Sequence, residues 1–219
     1  KIPEEDSKFY HNVYNISSNA TVKIPEKGGK FIIADDDRKK PPVNPRTYDP
    51  IVIYLNKDGL HLTQLNPALN FDHDSNDFKE ATGWISNDDA FLTYDKNGNG
   101  IIDDGSEMFG ETSAVNGFEA LKKFDDNKDG KIDENDAIWQ KLSLWRDINS
   151  DAKTDEGELI SIKDTDIKSI DLNYSNTHIA SNGNTIKQVS KVEFKDGSSA
   201  TANDVNFEVD LSDTVQTQI

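Results

Sequence analysis

Asp49-Pro50 is the one Asp-Pro pair in the chain, and its bond has distinctive chemistry. The Asp side-chain oxygen can attack its own main-chain carbonyl carbon and close a five-membered cyclic anhydride. That geometry is intramolecular, so its effective molarity can be very high. At most Asp-X bonds the following backbone nitrogen can instead attack the side chain to give a succinimide. Proline has no N–H, so that route is closed. Its amide nitrogen is also the more basic one, hence easier to protonate as it leaves. The same dipeptide starts ordinary turns, so its surroundings decide between the two readings.

The spacing of oxygen side chains points to a second chemistry. Asp125, Asn127, Asp129, Asp133 and Asp136 fall at positions 1, 3, 5, 9 and 12 of one loop. Gly130 stands at position 6, where the chain must turn sharply, and Lys131 at position 7 offers a main-chain carbonyl. A hard divalent cation takes six to eight oxygens from such a turn. Asp147, Asn149, Asp151, Lys153, Asp155 and Glu158 repeat the pattern, with Ala152 in place of glycine, which predicts a strained turn and lower affinity. A third loop holds Asp95, Asn97, Asn99, Ile101 and Asp103; its position 12 is Ser106, and one extra residue would let Glu107 supply the distal carboxylate. A fourth is Asp72, Asp74 and Asn76, with Asp77 where glycine is expected and Glu80 as a distal ligand. Asn56-Lys57-Asp58-Gly59 reads as a plain turn. The Asp125 set is the most complete and is expected to matter more than the Asp72 set. Oxygen donors without cysteine favour calcium or magnesium, and the number of donors per loop favours Ca2+. The histidines (His11, His61, His73, His178) share no spacing and read as surface or packing residues.

The whole composition fits this picture. Of 219 residues, 41 are Asp or Glu and 24 are Lys or Arg, giving a net charge of −17. Such charge repels phosphate backbones and anionic lipid, so no nucleic-acid partner and no membrane insertion are expected. No apolar run approaches the ~20 residues of a membrane-spanning helix. Absent cysteine removes disulfides and thiolate chemistry. The chain begins at Lys1 without a signal peptide and reads as a segment of a longer protein.

The elements that would position these groups divide at a linker. Val22–Ile24 and Phe31–Ile33 flank residues 25–29 as a hairpin. The charge run 35–40 and Pro41, Pro42 and Pro45 form an extended, solvated linker. Order resumes at the β-branched run 48–55. Phe118, Leu121 and Phe124, then Ile138, Trp139, Leu142 and Trp145, recur at helical spacing. The tail reads as strands at 159–162, 167–172, 185–189, 191–194 and 205–209, with Lys195-Asp196-Gly197 closing a hairpin. The expected fold is α+β: a small sheet with short helices and EF-hand-like calcium loops. Residues 1–48 form an upstream segment and linker, and residues 49–212 a calcium-dependent module.

Arg46-Thr47-Tyr48-Asp49-Pro50-Ile51-Val52 resembles the start of the self-processing module of bacterial repeat-in-toxin (RTX) proteins, of the FrpC and ApxIVA type. Further similar stretches follow in order: Phe71–Asp74, Thr82-Gly83-Trp84, Asp95–Gly110, Gly117-Phe118, the Asp125 loop, Leu144–Asp147, Gly157-Glu158-Leu159 and Asn182–Thr185. The resemblance covers residues 46–210. It implies that calcium folds the module and triggers scission of the Asp-Pro bond, leaving an aspartyl anhydride that water opens or a lysine amine captures as an isopeptide cross-link. Asp49 would be the nucleophile, Pro50 the leaving residue and the loop acids the calcium ligands. The chemistry is single-turnover autoproteolysis in a secreted, monomeric module, with a lysine-bearing protein as acceptor. The chain departs from the resemblance at Ile53–Gly59, where Tyr54 and Lys57 replace a more acidic strand and weaken any calcium site there. Tyr48, His61 and a calcium-bound water remain alternative proton donors to the Pro50 nitrogen. Two rival readings keep the loops and leave Asp49 idle: a calcium-binding spacer or adhesion module, and a dockerin-like docking module.

Overall fold

The computed structural model describes residues 21–23, 32–34, 48–55, 59–110 and 114–216, with side chains defined for residues 48–211 of these. The chain divides into two compact units, residues 1–46 and 47–219. In the first, β1 (Thr21–Lys23) and β2 (Ile32–Ala34) pair antiparallel with Val22 opposite Ile33. The linker read at 35–45 and the turn at 56–58 lie outside the described residues.

Among its described residues the second unit carries twelve strands. They are β3 (Ile51–Ile53), β4 (Asn66–Phe71), β5 (Phe78–Thr82), β6 (Ala90–Tyr94), β7 (Lys131–Asp133), β8 (Leu142–Trp145), β9 (Leu159–Ser161), β10 (Ile167–Asp171), β11 (Ser175–Ser181), β12 (Asn184–Phe194), β13 (Ser199–Asn206) and β14 (Val209–Gln216). A nine-stranded sheet runs β7-β10-β12-β13-β3-β6-β8-β9, with β11 added to β12. A three-stranded sheet runs β14-β5-β4. Every pairing between these strands is antiparallel.

The centre of the large sheet is buried on both faces. Side chains alternate across a strand, so Ile51 and Ile53 join one core with Ala90, Leu92, Leu142 and Leu144. Val52 joins the other with Phe91 and Trp145. Strands covered on both faces need apolar residues without alternation, which explains the continuous run at β3 and places its first residue deep inside the molecule.

The expected α+β class with EF-hand-like loops is corrected: the fold is an antiparallel β structure. Among the described residues there is one α-helix, α1 (Gly117–Leu121, 5 residues). Short 3-10 turns lie at Gly105–Glu107, Lys122–Phe124, Ala137–Lys141 and Ile162–Asp164. The helical spacing of Ile138, Trp139, Leu142 and Trp145 misleads because a 3-10 turn running into a strand produces similar spacing over so short a window. Trp139 and Trp145 end in opposite cores. The loops therefore hang on strands and short turns, not between helices.

Candidate active site

Tyr48, Asp49 and Pro50 are all buried, with Tyr48 6% and Asp49 1% exposed. The backbone extends the β3–β13 ladder upstream. Val205 N–H donates to Pro50 O (3.2 Å), Phe207 N–H to Tyr48 O (3.3 Å) and Ile51 N–H to Phe109 O (3.1 Å). A small cleft at the bond is lined by Tyr48, Asp49, Pro50, His73, Met108 and two glycines, Gly105 and Gly110. Both glycines permit close backbone approach. A Cβ on Gly110 would stand 3.2 Å from both Asp49 O and Asp49 Oδ1, and a Cβ on Gly105 would clash with the His73 carbonyl at 2.0 Å.

Spacing alone marks His73 as a surface or packing residue, and the structure packs it against the Asp-Pro segment. Its ring stacks on Tyr48 (centroids 5.2 Å apart, 19° between planes). Nε2 lies 2.9 Å from Thr82 Oγ1. That hydroxyl donates to Gly83 O (2.7 Å), so it accepts from Nε2–H, and this fixes the tautomer. Burial pushes the imidazole down to about 3, so the ring is neutral at ordinary pH. The signal available in the sequence was its position inside an acid pair, Asp72-His73-Asp74.

Those flanking acids form a cluster with Glu80. Asp72, Asp74 and Glu80 bring ligand oxygens within 4.8 Å of one another. The loop after β4 returns as β5, which lays Glu80 opposite Phe71 and beside the two aspartates. Burial, and then the Asp74 charge, raise the Glu80 carboxyl to about 7. Burial likewise raises Asp72, against the backbone N–H groups of Asn76 and Asp77 that donate to it. Glu80 Oε2 is buried without a hydrogen-bond partner. An all-oxygen, acidic set with an unsatisfied buried oxygen fits a hard divalent cation. Asn76, at position 5 of this loop, is exposed and accepts from Phe78 N–H (2.8 Å) at position 7.

The other loops share one backbone form. Positions 4 and 6 are left-handed in all of them: Gly98 and Gly100, Lys128 and Gly130, Ser150 and Ala152, and in the Asp72 loop Ser75 and Asp77. The first acid takes the position-6 N–H: Asp95 from Gly100 (2.9 Å), Asp125 from Gly130 (3.0 Å), Asp147 from Ala152 (2.8 Å). Side chains at positions 3 and 5 close further turns. Asn97, Asn127 and Asn149 accept from Asn99, Asp129 and Asp151 N–H, and those three in turn accept from Ile101, Lys131 and Lys153 N–H.

The distal carboxylate bridges positions 2 and 9. Asp136 accepts from Asp126 and Asp133 N–H, and Glu158 from Ile148 and Asp155 N–H. Glu107 accepts from Lys96 (2.9 Å) and Asp103 (3.0 Å) N–H, so a loop longer by one residue delivers the same bridge. Asp103 Oδ2 takes the side-chain N–H of Asn97 and Asn99, and Asp155 Oδ2 that of Asn149. Asp125 Oδ1 is buried with no partner. Ala152 does adopt the left-handed conformation (φ 56°) that its sequence position predicted would be strained.

The aromatic core joins these parts. Trp84 packs against Phe71, His73, Phe91, Trp145 and Phe207, and its indole N–H reaches Asp147. The Asp147 loop and the Asp-Pro cleft thus flank one aromatic cluster. No helix among the described residues is long and apolar enough to cross a membrane.

Comparison with known proteins places the chain. A family profile described as the SPM domain matches residues 51–208. The chain is also similar to the iron-regulated protein FrpA of Neisseria meningitidis serogroup C, 36% identical over 173 residues, which cover 74% of this chain and 16% of that protein. The chain therefore spans about a sixth of that relative's length.

Proposed function

The chain belongs to the SPM domain family, and from that premise we propose that it is a calcium-activated module that cleaves its own Asp49-Pro50 bond through an aspartyl anhydride. One observation carries the reading. The Asp-Pro segment is buried in a cleft whose wall, His73, sits between two acids of a three-carboxylate cluster. A plain turn-starting Asp-Pro would sit at the surface.

Asp49 Oδ attacks its own carbonyl carbon, the bond to the Pro50 nitrogen breaks, and that nitrogen takes one proton, from the Tyr48 phenol or a water, and leaves as a secondary amine. Pro50 O, tied to Val205, and Tyr48 O, tied to Phe207, hold both sides of the scissile peptide while Asp49 turns on itself. The bare face of Gly110 lets the backbone close over Asp49, and that of Gly105 lets it close against the His73 carbonyl in the cleft wall. Neutral His73, with its Nε2 proton committed to Thr82, shapes the cleft rather than donating a proton. Tyr48 lines the cleft, whereas His61 is exposed and outside that lining. Asp72, Asp74 and Glu80 would hold a calcium ion, whose positive charge would let the three carboxylates sit ionised side by side.

The ligand sets proposed are Asp72, Asp74, Asn76 and Glu80, and the loops from Asp95, Asp125 and Asp147. The module is proposed to act outside the cell, where millimolar calcium matches affinities of ~10⁻⁴–10⁻³ M for extracellular modules. The anhydride would be opened by water or by a lysine of an acceptor protein. The test is a denaturing gel of the chain with chelator and with millimolar calcium. Two fragments appearing only with calcium support the reading; an unchanged band points to a non-catalytic calcium-binding spacer.

A further inference from the structure

The contacts of the Asp-Pro segment fall unevenly about the bond. Tyr48 lies upstream of it, yet its ring and its carbonyl are both held by residues downstream. Its ring stacks on His73, and His73 stacks in turn on Phe207 (6.4 Å, 24°). Phe207 N–H holds the Tyr48 carbonyl. Breaking the bond between Asp49 and Pro50 removes none of these contacts. Resting on the reading of Asp49-Pro50 as the scissile bond, we infer that Tyr48 is an anchor that keeps the upstream fragment seated in the module after scission, so that its release, and not bond breaking alone, commits the acyl group of Asp49 to water or to an amine.

The chemistry of the seated state makes this a control point. Ring closure forms the bond from Oδ to the carbonyl carbon, breaks the carbon–nitrogen bond and leaves Pro50 as a secondary amine. While Tyr48 stays in its slot, that amine remains at the start of β3 beside the anhydride. Its lone pair can attack the same carbon, reopen the ring and restore the peptide bond. Asp49 is 1% exposed, so an outside nucleophile reaches the anhydride poorly until the segment leaves. After release, one water gives two carboxyl groups on Asp49, or a lysine Nζ gives one amide and one carboxyl. The residence time of Tyr48 therefore divides the reaction between reversal and acyl transfer. Tyr48 is a positioning residue in this scheme, acting through the segment it holds.

Two measurements on the full chain test it. In the uncleavable Asp49→Ala chain with calcium, hydrogen exchange at the Phe207 amide should speed by about tenfold or more when Tyr48→Ala is added, the size expected for losing a buried ring. Tyr48→Phe, which keeps the stack, should leave it unchanged. After calcium-triggered scission, the two wild-type fragments should co-elute on native size exclusion, while those of Tyr48→Ala separate. A Tyr48→Phe chain that stays anchored but uncut assigns the proton to the phenol and leaves the anchor standing. Wild-type fragments that separate at once, or Phe207 exchange indifferent to Tyr48→Ala, overturn the anchor. Absence of any scission in wild type overturns the underlying reading and fragment retention with it, while Phe207 exchange still reports whether Tyr48 holds the segment.

Discussion

Trp84 donates its indole N–H to Asp147 Oδ2 across 2.7 Å, joining residues 63 apart in the sequence. Both are fully buried. The bond ties the first acid of one loop to the aromatic cluster that also holds His73. Burial raises the Asp147 carboxyl, and the N–H groups of Ala152, Asp151 and Trp84 oppose that rise. Trp84→Phe keeps an aromatic ring but removes one donor from a buried carboxylate. The expected loss is about 1.5–3 kcal/mol, the range for hydrogen bonds to charged groups. Urea unfolding in millimolar calcium measures it, and a loss under about 0.5 kcal/mol would show that the bond carries little.

Glu80 gives a pH signature to the metal-free protein. Its folded value near 7 lies above the ordinary 4.5. The stability from holding that proton is complete below the unfolded value and is lost as pH rises through 7. Glu80→Gln should therefore raise the melting temperature of chelated protein at pH 8 and leave it nearly unchanged at pH 4. The same variant should lose much of the calcium-induced increment at pH 8. Equal melting temperatures for wild type and variant at pH 8 in chelator would remove Glu80 from the cluster.

The loops differ in what they should control. Asp74 is one residue from His73, in the wall of the cleft, whereas Asp129 is exposed at the tip of its loop. Asp74→Ala should slow calcium-triggered scission by about tenfold or more, the effect of ~1.4 kcal/mol on a barrier. Asp129→Ala should chiefly raise the calcium concentration needed to stabilise the fold fully. Gel time courses and calcium titrations followed by circular dichroism separate the two. Normal scission in Asp74→Ala, with scission lost in a folded Asp129→Ala, would return priority to the Asp125 loop.

Gly110 presses its bare Cα toward the reacting atoms of Asp49. A methyl group there must push the Asp49 carbonyl or Oδ1 by a few tenths of an ångström. Misplacement of reacting groups by about 1 Å can cost on the order of 10²-fold, so Gly110→Ala should slow scission by about tenfold. The fold should persist, because the contact is tight rather than impossible. Unchanged kinetics by densitometry would mean that the cleft tolerates this shift.

Much of this was legible in the sequence for local reasons, and the rest was hidden for non-local ones. Loop spacing is local: the run from Asp125 to Asp136 is expected to form one tight turn and does, and the extra residue before Glu107 leaves its carboxylate turned back onto the loop, accepting from Lys96 and Asp103 N–H. The hairpin at Lys195-Asp196-Gly197 is equally local, with Gly197 at φ 82°. Helix against strand was not decided by periodicity, because Trp139 and Trp145 serve two cores on opposite faces of one sheet. The strands predicted at 185–189 and 191–194 are one, since β12 runs through Ser190. The predicted strand 205–209 spans the break between β13 and β14 at Phe207-Glu208. His73 escaped because its role depends on Tyr48 and Phe207, 25 residues before and 134 after it in the chain, and no spacing rule reaches that far.

Mass spectrometry of the calcium-treated chain tests the central claim most directly. Only a carboxylate one methylene from Cα can close the five-membered ring on its own carbonyl. Wild type should yield a fragment beginning at Pro50 and a partner ending at Asp49, part of it lighter by one water or joined to a lysine. Asp49→Ala should yield neither while still binding calcium and folding, and Asp49→Glu should be slowed on the order of 10²-fold by its longer arm. A new N-terminus other than Pro50, or Asp49→Ala cut as fast as wild type, would contradict the anhydride account.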